Sequence, residues 1–125
     1  MNILKIESLN RELKELEIRS GITGSAIVSR NGLLVTSRLP RDIDKRKIGA
    51  IAATMFGAIE TASTALESNE KVYCITIELD EYQLIVLNAT DDIIFALLID
   101  LNVNLGLILI ELEETLKKIQ MIAKR

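Results

Sequence analysis

Apolar positions along the chain change their period several times, and each change marks an element boundary. Between Asn2 and Arg19, Ile6, Leu9, Leu13 and Leu16 share one side while Lys5, Glu7, Arg11, Glu12, Lys14 and Glu15 share the other. That spacing predicts an amphipathic helix, ended by Gly21. Such a helix either docks a partner or packs on its own sheet, and the second is the expectation. Gly24–Arg30 then alternates, Asn31-Gly32 interrupts, and Leu33–Ser37 follows: Asn-Gly between apolar runs is a strong hairpin signal. Arg38–Ile43 holds the only proline and leads to Asp42 or Asp44, either of which is placed to cap the next helix. Val72–Leu79, Tyr82–Ala89 and Ile93–Ile99 read as strands, and their short links at Asp80-Glu81 and Thr90–Asp92 demand antiparallel pairing. Ile93–Ile99 is apolar on both faces and is predicted to be central. Asn104 caps a last helix, whose Leu105, Leu109, Leu112, Leu116 and Ile119 are predicted to face the core. The order α-β-β-α-β-β-β-α predicts an α+β fold of one antiparallel sheet with helices on both faces, a single domain over residues 1–125.

Asp44–Glu67, before a predicted loop at Glu67–Glu70, is the stretch around which the rest is organised. On a helical projection Ile48, Ile51, Met55, Ile59, Ala62 and Leu66 fall together, a stripe predicted to face the core. The opposite face carries Arg46, Gly49, Ala50, Ala53, Gly57 and Glu60, with small residues in the middle and charges at the ends. Each mid-helix glycine costs roughly 1 kcal/mol relative to alanine, and a wet surface gives nothing back. Close approach of the same helix in a second copy would account for that line; so would a helix sandwiched inside one large core. The first is the expectation, making the chain a homodimer with Arg46, Gly49, Ala50, Ala53, Gly57 and Glu60 at the interface.

Composition removes whole classes of function. Aromatic residues are 3% of the chain against 49% apolar, so the core is aliphatic. A formal net charge of −3 argues against general nucleic-acid binding. The charged N-terminus is no signal peptide, and the run Ile93–Ile99 is too short to span a bilayer, so no membrane insertion and a cytoplasmic location are expected. With no histidine, His-based acid–base or nucleophilic catalysis is excluded. The glycines match neither phosphate-loop spacing, Asp80-Glu81 and Asp91-Asp92 sit where hairpin tips put solvated acids, and Cys74 alone is no zinc site. No catalytic residue, metal or cofactor is expected. What departs from an ordinary surface is Arg38, Arg41, Lys45, Arg46 and Lys47, a basic run opening a helix whose dipole disfavours cations there. Either an acidic partner or the adjacent Asp42 and Asp44 would offset that cost. Arg38, Arg41, Lys45 and Lys47 are the candidate docking residues.

Three stretches resemble the roadblock (dynein light chain) family: Gly24–Val35, Ile48–Ile59 and Asn104–Leu112, similar to its first hairpin, its central helix and the start of its last helix. The resemblance covers nearly the whole chain and is to the prokaryotic homodimeric type. It implies a five-stranded antiparallel sheet in the order 2-1-5-4-3, with the long helix on one face and the terminal helices on the other. It also implies dimers with antiparallel central helices and third strands paired across the two-fold axis, which places Val72, Cys74 and Thr76 at the interface. By the same resemblance the chain is a non-catalytic regulator or scaffold for a Ras-like small GTPase, with a second roadblock protein as a further partner. The competing reading is a small-molecule sensor on a related fold, which would need a pocket with converging polar groups.

Overall fold

The structure is a computed structural model, and it describes residues 1–66 and 71–125. Along the chain run α1 (Ile3–Ser20), β1 (Gly24–Ser29), β2 (Leu34–Arg38), α2 (Lys45–Ala65), β3 (Cys74–Glu78), β4 (Tyr82–Asn88), β5 (Ile93–Asp100) and α3 (Leu105–Ala123). The expected loop at Glu67–Glu70 lies outside the described residues. The strands form one antiparallel sheet in the order β2-β1-β5-β4-β3. The order and the helix placement expected from the family resemblance are both present.

Each helix starts on a side-chain cap. Asn2 accepts from the Lys5 amide at 2.9 Å, Asn104 from the Gly106 amide at 2.9 Å, and Asp44 from the Arg46 and Lys47 amides at 3.0 and 3.4 Å. Asp44, not Asp42, is therefore the residue that opens α2. Removing it by Asp44→Ala should lower the unfolding free energy by about 1 kcal/mol, read as a shift in urea midpoint at constant slope. The β1–β2 connection is a three-residue loop rather than a two-residue turn. The Gly32 amide donates to Ser29 O at 3.0 Å, the Ser29 amide donates to Leu33 O at 2.8 Å, and Gly32 takes the left-handed conformation (φ 91°) that this loop requires.

Two apolar layers sandwich the sheet. On one face Leu9, Leu13 and Leu16 of α1 and Ile108, Leu112, Ile119 and Ile122 of α3 bury Ile27, Ile85, Phe95, Leu97 and Ile99. On the other, Ala52 and Phe56 of α2 cover Ala26, Val28, Val86, Ile94, Ala96 and Leu98. Ile93–Ile99 is buried throughout, as a strand with neighbours and helices on every side must be. α1 packs on its own sheet. In α3 the buried line is Ile108–Leu112–Thr115–Ile119–Ile122, while Leu109 is half exposed. The face is turned from the expected one because α3 lies against α1 as well as the sheet: Arg19 reaches Glu111 at 3.3 Å and Lys118 reaches Glu12 at 4.0 Å.

Candidate interaction surface

The central helix corrects the sequence expectation about which face is inside. Its buried residues are Gly49, Ala52 and Phe56, and its contacts run to β1, β2 and β5. Of the stripe expected to face the core, Ile51 is 44% exposed, Ile59 43% and Leu66 81%. The small-residue face is divided. A methyl group built on Gly49 would stand 2.9 Å from the backbone oxygen of Gly32, so this glycine is consumed by contact with the chain's own hairpin loop. Gly49 is therefore unavailable to a second copy. Ala53 is half buried, with its Cβ 3.7 Å from the position a Cβ on Gly32 would take. Gly57 has nothing within 4 Å, and Arg46 and Ala50 are exposed.

Glu60, expected at the interface with a second copy, is held within its own chain. Arg30 Nη1 donates to Glu60 Oε1 at 2.9 Å, and its guanidinium lies 4.9 Å from the centre of the Phe56 ring. No feature of the sequence pattern singled out Arg30. Only the alternation of β1 gives a hint, since it puts Arg30 on the same side as Ala26 and Val28.

The basic run is also split. Arg38 ends β2 on the α1 side, where its Nε donates to Glu17 Oε2 at 3.0 Å. Arg41, Lys45, Arg46 and Lys47 stay exposed around the α2 N-terminus. Asp44 meets the local cost of these cations by accepting from the first-turn amides.

β3 forms one edge of the sheet. Ile75 and Ile77 are half buried on the α2 side, whereas Cys74 and Thr76 are exposed on the opposite side, their Sγ and Oγ1 3.8 Å apart. Val72, just before the strand, is half buried beside the α2-side core. Tyr73 is 73% exposed. Behind this edge, α3 and the β3–β4 end of the sheet enclose a groove of about 900 Å³, floored by Leu87, Leu112 and Leu116 and rimmed by Lys71, Glu113 and Lys117. Among the described residues no cluster of His, Cys, Asp or Glu is arranged to hold a metal. α2 is long and apolar enough to cross a membrane by length and composition, but one side of it is packed on the sheet.

The surface to be explained is thus a helix with a large aliphatic stripe left open, beside a half-covered sheet edge. Residues 9–99 match the Roadblock/LC7 domain. The chain belongs to the Roadblock/LC7 family. A protein of Methanocaldococcus jannaschii is 35% identical to this roadblock chain over 118 residues, covering 92% of this chain and 97% of that one. Myxococcus xanthus MglB superposes with a TM-score of 0.90 at 16% identity, over 99% of this chain and 93% of that one. A structure described as MglB with tetrameric arrangement gives 0.87 at 16% identity, again over 99% and 93%. At these identities the superpositions speak for the fold. The roadblock sheet order and the three-helix arrangement hold from α1 through α3.

Proposed function

We propose that this roadblock protein is a non-catalytic, homodimeric cytoplasmic regulator or scaffold for a Ras-like small GTPase. The observation that carries the reading is the apolar stripe of α2, Ile51, Met55, Ile59 and Leu66, left half covered or open, on the same side of the sheet as the half-covered Ile75 and Ile77 of the edge strand. A stripe of this kind on a chain of this family is best matched by a second α2. Arg46, Ala50, Gly57 and Glu60 lie on the opposite side of α2 from that stripe, and Val72, Cys74 and Thr76 lie where paired edge strands would meet. A solved MglB is described in a tetrameric arrangement, which supports self-association on this fold. A second roadblock protein could take the place of one copy.

The GTPase would dock near Arg41, Lys45 and Lys47, the exposed cations at the α2 N-terminus. In a protein of net charge −3 they supply the local positive field that steers an acidic partner. The test uses the small GTPase recovered with the tagged chain from its native cell. Lys45→Glu with Lys47→Glu should slow association about tenfold at low salt and flatten the salt dependence, leaving the dimer intact. Recovery of no GTPase would overturn the reading, and an unchanged association rate would remove the basic residues from it. The sensor alternative has the α3 groove as its candidate, but of the polar side chains that line it Asn88 is taken up by Arg30 and Gln120 by the Ala89 carbonyl.

A further inference from the structure

Arg30 does more than pair with Glu60. Its backbone amide donates to Asp92 O at 3.1 Å. Its Nη2 donates to Asn88 Oδ1 at 2.6 Å and to Thr90 O at 3.1 Å, while Nη1 holds Glu60 and the guanidinium plane covers Phe56. One planar fork therefore gathers α2, the end of β4 and the β4–β5 turn, which is the geometry a guanidinium suits and an ammonium does not. Among the described residues this is the one hydrogen-bonded tie between α2 and the sheet. The turn it grips is held from the other face as well, by Gln120 of α3, whose Nε2 donates to Ala89 O at 2.9 Å. Asn88, Ala89, Thr90 and Gln120 also line the α3 groove. A continuous polar path thus runs around the end of the sheet: Glu60, Arg30, Asn88 and Thr90, Ala89, Gln120.

We propose that Arg30 is a positioning residue that couples the two faces of the sheet, so that displacement of the β4–β5 turn, including displacement by anything seated in the α3 groove, shifts the second half of α2. The first half of α2 is fixed separately, by Gly49 against Gly32 and Ala52 in the core, and Phe56 anchors the start of the second half, so the response falls on the turns from Phe56 to the C-terminal end. The consequence for partner binding rests on the reading of α2 as the partner-bearing helix; the coupling does not.

Amide hydrogen exchange on the full chain tests it. Asn88→Ala, which removes an acceptor at the groove side, should speed exchange across Phe56–Ala65 roughly three- to tenfold and leave Ile48–Ala52 unchanged. Because coupling is reciprocal, Glu60→Gln should speed the amides of Ala89–Ile93 by a similar factor, roughly three- to tenfold. Arg30→Lys, which keeps the charge and loses the fork, should loosen both segments together and serves if Asn88→Ala folds poorly. Effects confined to the segment that carries the substitution would overturn the proposal, as would equal acceleration everywhere, β5 included. If the coupling is present but the dimer affinity of Asn88→Ala is unaltered by sedimentation equilibrium, Arg30 keeps its role and α2 loses its reading as the partner-bearing helix.

Discussion

If α2 is the dimer helix, as proposed, Ile59→Glu should yield a folded monomer. Ile59 is 43% exposed and Ile51 44%, so neither is needed in full by its own core, yet both stand on the aliphatic stripe. Met55 lies midway between them in sequence. In an antiparallel helix pair crossing at Met55, Ile51 of each copy would face Ile59 of the other. Burying the exposed half of such side chains contributes about 1 kcal/mol each, and a two-fold axis presents every residue twice. A buried glutamate adds a desolvation cost on top, so the dimer constant should weaken by about 10² or more. Sedimentation equilibrium measures this, with circular dichroism confirming a folded monomer. A variant that dimerises like the unsubstituted chain would move the contact elsewhere. Ala53→Glu would be a poorer probe, because Ala53 is half buried over Gly32 and the substitution would strain the chain's own packing.

The two glycines of α2 should respond with opposite signs. Gly57→Ala meets nothing within 4 Å, so the helix gains intrinsic propensity and stability should rise by about 0.5–1 kcal/mol. Gly49→Ala gains the same propensity but drives a methyl group to 2.9 Å from the Gly32 backbone oxygen. Moving the hairpin loop off α2 should cost about 1–3 kcal/mol, and the variant should melt several degrees lower. Thermal unfolding of both variants side by side decides it. Equal stabilisation would mean that Gly49 and Gly32 do not touch. A weakened dimer in Gly57→Ala would return the interface to the small-residue line.

The strands and their order were legible because alternation and turn residues act locally, and because a strand apolar on both faces has few places to go. Ile93–Ile99 could only be central. The orientation of α2 was not legible, for a definite reason. Periodicity reports which residues share a face but not which face meets the sheet, and α2 has two apolar faces, one large and one small. Large apolar residues are usually buried, so the pattern alone points the large face inward. The hairpin loop decides otherwise: Gly32 brings backbone to within reach of Gly49. The buried line Gly49, Ala52 and Phe56 runs between the two faces, leaving Ala50 and Gly57 exposed on one side and Ile51 and Ile59 half exposed on the other. Arg38 misled similarly. In sequence it belongs with Lys45 and Lys47, but the alternation of β2 turns it to the other side of the sheet, where Glu17 is waiting. The role of Arg30 depends on four segments meeting in space, and no local pattern records that.

The pairing of β1 with β5 has a consequence during synthesis. Ser29, the last residue of β1, pairs with Ile93, the first of β5, and Gly24 pairs with Leu98. The ribosome delivers β5 roughly sixty residues after β1, a delay of about 3–12 s at ordinary rates. For that interval Ala26, Ile27 and Val28 have a β2 neighbour on one side and an open strand edge on the other. The meander β3-β4-β5 then has to arrive as a unit and insert β5 into the gap, so the central strand is the last to find its place. Nascent chains stalled before Ile93 should therefore be the ones that recruit chaperones.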